Sequence, residues 1–117
     1  MKFCFDIDGV LATKVDDLDY TKAKPIQKNI DLLNHLAAIG HTIILYTARG
    51  SETGIDWHEK TAEQMRSFGV QYQRLVTGKP AADYYIDDRM MSLADIDTLA
   101  EAIGRLRYVA KQRTEGS

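Results

Sequence analysis

The chain has 117 residues, of which 44% are hydrophobic and 27% charged, and its formal net charge is −2. The length fits one modest domain, and the composition is close to that of average globular proteins, which excludes disordered and fibrous classes. No apolar run approaches the roughly 20 residues that cross a bilayer, and no signal peptide is recognisable. We therefore expect one cytoplasmic domain over residues 1–117, frayed at 113–117, with no membrane partner. The net charge disfavours a nucleic acid partner but leaves a local basic patch open.

The first half of the chain predicts two strands and one helix. Lys2–Asp8 is rich in aromatic and β-branched residues and ends in acidic groups, which is typical of a buried strand. Its Cys4 cannot form an internal disulfide and is expected to be a buried thiol. Residues 10–24 form a loop or flap, and a helix follows over Pro25–Ile39. His41–Thr47 is almost continuously apolar, as parallel strands covered on both faces tend to be.

The second half predicts a helix, two strands and a last helix. Trp57–Phe68 has a helical pattern, Val70–Val76 is a weaker strand, and Asp83–Asp87 is a fourth strand that again ends in acid. Ser92 followed by Asp95 is typical of a helix N-terminus. This order of elements predicts an α/β fold, a three-layer α/β/α sandwich with a mostly parallel, Rossmann-like sheet and right-handed crossovers.

Polar side chains follow three of the predicted strands at the edge where ligands bind in open α/β sheets. They are Asp6, Asp8, Thr47, Arg49, Asp87 and Asp88, with Lys79 in the turn before the fourth strand. They converge if the first strand is central, between the second and the fourth. Four carboxylates against two cations repel one another unless a cation binds, and carboxylate oxygens select Mg²⁺. Carboxylates, a hydroxyl, a lysine and Mg²⁺ are the equipment of phosphoryl transfer.

Four ordered motifs also resemble those of the haloacid dehalogenase-like (HAD) superfamily: Phe5–Val10, Tyr46–Thr47, Gly78–Pro80 and Tyr85–Asp88. The resemblance spans residues 3–88, although a fifth core strand is not evident after Asp88. The sequences at 46–50 and 78–88 resemble those of small capless members associated with capsule and surface-polysaccharide biosynthesis. Larger relatives insert a cap domain at positions that correspond to residues 10–24 or 48–56, and both segments are too short for one. The resemblance therefore implies an HAD-like core without a cap and with an open site, which a second subunit could cover.

The resemblance also implies catalytic roles. Asp6 is the expected nucleophile, which forms an aspartyl-phosphate, and Asp8 is the expected general acid and base. Thr47 is expected to hydrogen-bond a phosphoryl oxygen, and Lys79 to neutralise charge on the nucleophile and the intermediate. Substrate contacts are expected from Thr47, Ala48, Arg49 and Lys79.

The same resemblance implies a Mg²⁺ cofactor held by Asp6, the backbone carbonyl of Asp8, Asp87 and Asp88, the last directly or through water. Two assignments stay open. Arg49 contacts the substrate or pairs with a nearby acid, and Trp57 with His58 line the substrate entrance or pack the helix.

The expected function is that of a Mg²⁺-dependent phosphatase acting on a small phosphorylated metabolite, such as a sugar phosphate or a capsular-polysaccharide precursor. One alternative is a nucleotide or nucleic-acid-end phosphatase. Another is a receiver-like domain that accepts a phosphoryl group without hydrolysing it, although receivers have no acid placed like Asp8 and carry their acidic pair on the first strand. A binding protein without catalysis is a further alternative.

Overall fold

The computed structural model describes residues 1–51, 54 and 56–102, and it builds an α/β fold on a three-stranded parallel sheet. The regular elements are β1 (Lys2–Phe5), α1 (Gln27–Ala38), β2 (Thr42–Thr47), α2 (His58–Ser67) and β3 (Arg74–Thr77). The chain divides into two units, Met1–Tyr84 and Tyr85–Ser117, and the first contains all five of these elements. None of the helices in the described part is long and apolar enough to cross a membrane.

The strand order is β1-β2-β3, so β2 is the central strand and β1 lies at an edge of the described sheet. The expected central position of the first strand is therefore wrong for the described residues. Phe5 pairs with Leu45, and Leu45 pairs in turn with Leu75, in parallel register. Since both crossovers run in the same direction along the sheet, right-handed connections place α1 and α2 on the same face. The carboxyl ends of the three strands meet at one edge.

The core lies between the helices and one face of the sheet. The fully buried side chains include Ile43 and Leu45 of β2, Leu33 of α1 and Met65 of α2. Burial alternates along β2, and the side chains of its other face are only half-buried, so the expected cover on both faces is not present among the described residues of this unit. Cys4 lies on that second face and is exposed, which corrects the expected buried thiol.

The first two predicted helices and the strand predicted at His41–Thr47 are confirmed to within two residues. α1 ends where expected because Gly40 follows it with φ of 100°, a conformation that only glycine adopts without strain. Its start is later than predicted, since Pro25 forms an isolated bridge with Ala12 rather than a helical turn. Residues 10–24 are a loop, as expected, with one 3-10 turn at Tyr20–Lys22.

Two strand predictions need correction. β3 begins at Arg74 rather than at Val70, because residues 70–73 lead out of α2 before pairing starts. The predicted fourth strand at 83–87 is not formed, and Ile86 is 98% exposed. Its three consecutive apolar residues, Tyr84, Tyr85 and Ile86, favour a strand, but a strand needs a partner's backbone groups. The Asp87 carboxylate instead accepts the backbone N–H of Arg89, which makes a turn.

The described part of the second unit consists of this turn and a helix at residues 93–102. The Ser92 hydroxyl accepts the Asp95 backbone N–H, and the Asp95 carboxylate accepts the Ser92 backbone N–H, so the predicted helix start is confirmed as a reciprocal cap. The backbone N–H and the hydroxyl of Ser92 both donate to the Asp95 carboxylate and hold its pKa below its usual range. The tail predicted to fray at 113–117 lies outside the described residues.

Candidate active site

Asp6 and Lys79 form one ion pair at the carboxyl edge of the sheet. Asp6 directly follows β1, and its Oδ1 accepts the backbone N–H of Ile7 at 2.8 Å, which fixes the carboxylate. Lys79 follows β3, and its Nζ lies 3.5 Å from Asp6 Oδ2. The Asp6 side chain is 36% exposed, so this carboxylate is partly accessible to a ligand. The structure therefore brings the predicted nucleophile and the predicted charge-neutralising lysine together.

Asp8 and Arg49 form a second ion pair at the same edge. The guanidinium binds the carboxylate from the side, with Nε donating to Oδ2 at 3.0 Å and Nη2 donating to Oδ1 at 2.8 Å. Such two-point pairs fix both the position and the plane of a carboxylate. Of the two roles left open for Arg49, pairing with an acid is the one that the structure displays.

The Arg49 side chain is enclosed, with only 1% of its surface exposed. Its Nη1 donates to Gln64 Oε1 at 2.8 Å and to Thr61 Oγ1 at 3.3 Å, and both acceptors belong to α2. The guanidinium carbon lies 4.6 Å from the centre of the Tyr20 ring, within cation–π range. Gln64 also donates to the Tyr20 backbone carbonyl at 2.7 Å, which ties the loop to α2.

Thr47 connects the two ion pairs. It ends β2, it is fully buried, and its Oγ1 accepts the backbone N–H of Arg49 at 3.1 Å. Its carbonyl accepts the backbone N–H of Lys79, also at 3.1 Å. Ala48, between Thr47 and Arg49, is half-buried, and its carbonyl accepts the Ser51 backbone N–H in a tight turn. The four predicted residues at the ends of β2 and β3 thus lie in one hydrogen-bonded arrangement.

The turn after Asp8 depends on Gly9. The Ile7 carbonyl accepts the backbone N–H groups of Val10, Leu11 and Ala12, so the chain reverses tightly at the strand end. Gly9 has φ of 87°, and a Cβ there would lie 2.9 Å from the Lys14 side chain. A residue with a side chain would be strained there, and the turn would no longer hold Asp8 at the sheet edge.

A shallow pocket opens beside Arg49, with Gly50, Asp56, Trp57 and Gly78 in its wall. Trp57 packs edge-on against Tyr20, with ring centres 5.0 Å apart, and Lys60 lies over its indole ring. Trp57 therefore packs the start of α2 and also lies in the pocket wall, while its role at a substrate entrance stays a prediction. His58 contacts the Leu75 carbonyl at 3.3 Å and is not in the wall.

Asp87 and Asp88 belong to the second unit and are both exposed. The backbone N–H of Arg89 and the adjacent Asp88 side chain hold the pKa of Asp87 below its usual range, so Asp87 is ionised at neutral pH. No group of three or more His, Cys, Asp or Glu side chains is gathered for a metal within residues 1–51, 54 and 56–102. The roles of Asp87 and Asp88 as ligands stay predictions.

The donors of the first unit fit the chemistry of Mg²⁺, which takes one or two carboxylates and keeps several waters. The Asp6 carboxylate is a partly exposed oxygen donor of this kind. The Asp8 carboxylate is engaged by Arg49, so its side chain is not available to a metal while that pair is closed. This geometry agrees with a role for the Asp8 backbone carbonyl, rather than its side chain, as a ligand.

Sequence reasoning did not single out the residues that enclose Arg49. These are Tyr20 in the loop and Thr61 and Gln64 on α2. A signal exists for two of them, because Thr61 and Gln64 are spaced three apart and share the helix face that also carries buried Met65. Polar residues on a core-facing stripe indicate a buried polar partner, and Arg49 is that partner.

Comparison with known proteins adds a structural relative. The chain is similar to a crystal structure of a structural-genomics target from Vibrio cholerae, with a TM-score of 0.68 and 27% sequence identity. The similarity covers 86% of this chain and 97% of that one. No protein-family model and no curated protein matches the chain. The comparisons and the structure together establish an α/β domain built on a three-stranded parallel sheet.

Proposed function

We propose that this protein is a Mg²⁺-dependent phosphatase that hydrolyses a small phosphorylated metabolite through a phosphoryl group carried on Asp6. The observation that carries the proposal is the Asp6–Lys79 pair, in which a partly exposed carboxylate lies 3.5 Å from an ammonium at the carboxyl edge of a parallel sheet. A second carboxylate, Asp8, is held two residues along the chain. A nucleophile with an adjacent acid is the minimum equipment for two-step phosphoryl transfer.

In the first step, an Asp6 carboxylate oxygen attacks phosphorus and the bond to the leaving oxygen breaks. The leaving oxygen takes the bond's electron pair and a proton from the Asp8 carboxyl, so the alcohol departs neutral. In the second step, Asp8 takes a proton from water, the water oxygen attacks phosphorus, and the Asp6–phosphorus bond breaks. Inorganic phosphate is released, Asp6 is again a carboxylate and Asp8 is again protonated, so Asp8 acts first as acid and then as base.

Lys79 and Thr47 support these steps by charge and position. The Lys79 ammonium lies next to Asp6 and would neutralise part of the charge that gathers on the phosphoryl oxygens. The backbone hydrogen bond from Lys79 to Thr47 keeps the loop after β3 against the end of β2. Bound Mg²⁺ would supply further charge neutralisation, with Asp6, the Asp8 carbonyl, Asp87 and Asp88 as the proposed ligands.

The finer fold class belongs to the same proposal: a three-layer, Rossmann-like sandwich of the HAD type without a cap. It is supported by the two crossovers of the first unit and by the short loops at residues 10–24 and 48–56. The pocket beside Arg49 is lined by residues that include Ser51, Asp56 and Trp57, and polar and aromatic residues of these types suit a leaving group rich in hydroxyls, such as a sugar. A role in capsule precursor synthesis is proposed on the resemblance alone, and cytoplasmic location on the composition of the chain.

The test is phosphate release by the purified full chain from a panel of sugar phosphates, nucleotides and 3′-phosphorylated oligonucleotides, with MgCl₂ and after EDTA treatment. We expect release that EDTA removes and added Mg²⁺ restores, and a loss of more than about 10³-fold in Asp6→Asn, because the nucleophile is removed. The matched control is Asp16→Asn, an exposed aspartate of the loop, which should retain activity. Full activity in Asp6→Asn, or no release from any substrate, would overturn the proposal. A stable phosphoprotein would instead support the receiver alternative.

A further inference from the structure

We infer that Arg49 is a positioning residue: it does not grip the substrate phosphate but holds the Asp8 carboxylate at the angle that proton transfer to the leaving oxygen requires. This inference rests on the proposed function and deepens it. It starts from an arginine at a predicted phosphate site whose side chain is 1% exposed. An arginine that receives a phosphate needs free, accessible N–H groups, and this side chain is closed in.

All three guanidinium nitrogens donate to acceptors of the protein itself, which favours a positioning role for Arg49. Nε and Nη2 donate to the two Asp8 oxygens, and Nη1 donates to acceptors on α2. A guanidinium has five N–H donors in a rigid plane, so contacts at all three nitrogens fix that plane. The Tyr20 ring lies against one face of the plane at 4.6 Å and limits its tilt. Arg49 therefore transmits the position of α2 to Asp8.

The neighbouring ion pair shows the alternative arrangement. The Nζ of Lys79 lies 3.5 Å from one oxygen of Asp6. Asp6 is also the more exposed of the two site carboxylates, at 36% against 23% for Asp8. A phosphoryl group can enter between Lys79 and Asp6, because that contact is long and made at one point. Entry at Arg49 would break several short hydrogen bonds at once. The structure therefore assigns phosphate contact to Lys79 and orientation of the acid to Arg49.

A general acid matters only when the leaving oxygen needs a proton. An alkyl phosphate, including a sugar phosphate, needs that proton, whereas p-nitrophenyl phosphate departs as a stable phenolate. The constant kcat/KM reports the step in which the leaving group departs when phosphoryl transfer is the first irreversible step. A residue that only stabilises the fold, or only binds the phosphoryl group, would change both substrates equally. A residue that orients Asp8 would change them unequally.

The test is kcat/KM of Arg49→Lys for an alkyl phosphate and for p-nitrophenyl phosphate. Lysine keeps the charge but cannot donate to Asp8, Thr61 and Gln64 together. Correctly placed general acids contribute roughly 10²–10⁴-fold, so we expect a loss of about 10- to 100-fold for the alkyl phosphate and less than about threefold for the aryl one. The matched control is Arg66→Lys on the exposed side of α2, which should change neither value.

Gln64→Ala provides a second, milder variant if Arg49→Lys does not fold, because it removes the 2.8 Å acceptor while leaving the Asp8 pair in place. It should give the same substrate-dependent loss at smaller size. In an Asp8→Asn background, Arg49→Lys should add no further loss for the alkyl phosphate. Equal losses for both substrates would overturn the inference while leaving the phosphatase proposal standing. Absence of any phosphatase activity in the unaltered chain would instead overturn the proposed function on which it rests.

Discussion

Two ion pairs in different regions of the molecule show that the shorter contact is not the stronger one. In the loop at residues 10–24, Lys22 Nζ lies 2.5 Å from Asp17 Oδ2, and the two side chains are 62% and 53% exposed. At the strand ends, Arg49 lies 2.8 Å from Asp8, and the side chains are 1% and 23% exposed. The shorter contact is the weaker one, because water and salt screen exposed charges and because two long side chains lose freedom when they pair.

The comparison teaches that enclosure, rather than contact length, decides what an ion pair can do. Arg49 is held by neighbours on α2 and cannot leave Asp8 without leaving charges buried, so this pair suits orientation. The Asp6–Lys79 pair, at 3.5 Å, lies between the two extremes and suits a site that a ligand must enter. The Lys22–Asp17 pair suits neither task.

Breaking the enclosed pair should have the largest effect on stability. Arg49→Met keeps side-chain volume but leaves the Asp8 carboxylate without its cation, and we expect the free energy of unfolding to fall by roughly 2–4 kcal/mol. The estimate is at the lower part of the usual range because Asp8 retains 23% exposure. Urea unfolding followed by circular dichroism measures it. A domain of this size has only about 5–15 kcal/mol in total, so the change is easily resolved.

Arg66→Met is the matched control for that measurement. Arg66 lies in the last turn of the same helix, α2, and is exposed. We expect its removal to cost less than about 1 kcal/mol, the usual size of a charge interaction with a helix end. If the two variants lost equal stability, the enclosure of Arg49 would have no energetic consequence, and the ranking of the pairs by burial would be wrong.

Breaking the intermediate pair should separate activity from stability. Lys79→Met is expected to lower kcat/KM by about 10²-fold, since a charge next to the nucleophile is lost. It should change the free energy of unfolding by only about 1 kcal/mol or less, as for other partly exposed pairs. Phosphate release and urea unfolding of one preparation supply both values. A stability loss as large as that of Arg49→Met would contradict the distinction between the two site pairs.

Removing both charges of the enclosed pair should partly restore what removing one destroys. Asp8→Asn combined with Arg49→Met leaves no unpaired charge, so we expect the double variant to be about 1–2 kcal/mol more stable than Arg49→Met alone. The same combination at the surface, Asp17→Asn with Lys22→Met, should show no such recovery. Additive losses at the strand ends would mean that Arg49 stabilises the fold through Thr61 and Gln64 rather than through Asp8.

Much of the first unit was predictable because its signals are local. The almost continuous apolar run of β2 predicted a strand and the glycine after α1 predicted a helix end, and both predictions were confirmed, although β2 is not covered on both faces within the described residues of this unit. The segment 83–87 also predicts a strand but forms none. Strand pairing depends on a distant partner, which a local pattern does not contain, and the turn at Asp87 is a competing local signal.

The candidate site also has a part that the sequence predicted and a part that it did not. The order of motifs predicted that Asp6 and Lys79 would meet and that Asp8 and Arg49 would lie at one sheet edge. It did not predict that Arg49 would be enclosed, because Tyr20 and Gln64 reach it from elements that lie far from it in sequence. Charge alone left Arg49 with two roles, and only the surrounding acceptors distinguish them.

The smallest effect concerns the exposed pair and its pH dependence. The hydrogen bond from Lys22 holds the pKa of Asp17 below its usual range, and Asp17 in turn raises the pKa of Lys22. Because the folded-state pKa of Asp17 is lowered, its contribution to stability is present above the unfolded-state pKa of about 4 and is lost as pH falls through the lowered value.

Carboxyl NMR titration should show the pKa of Asp17 rising toward its ordinary value in Lys22→Met, and also in the unaltered protein at 1 M salt, where the Debye length is about 3 Å. Asp31→Asn, a change on the exposed face of α1, is the control and should leave that titration unchanged. A salt-resistant pKa at Asp17 would mean that geometry alone can make a surface pair strong, which would remove the basis for ranking the three pairs by enclosure.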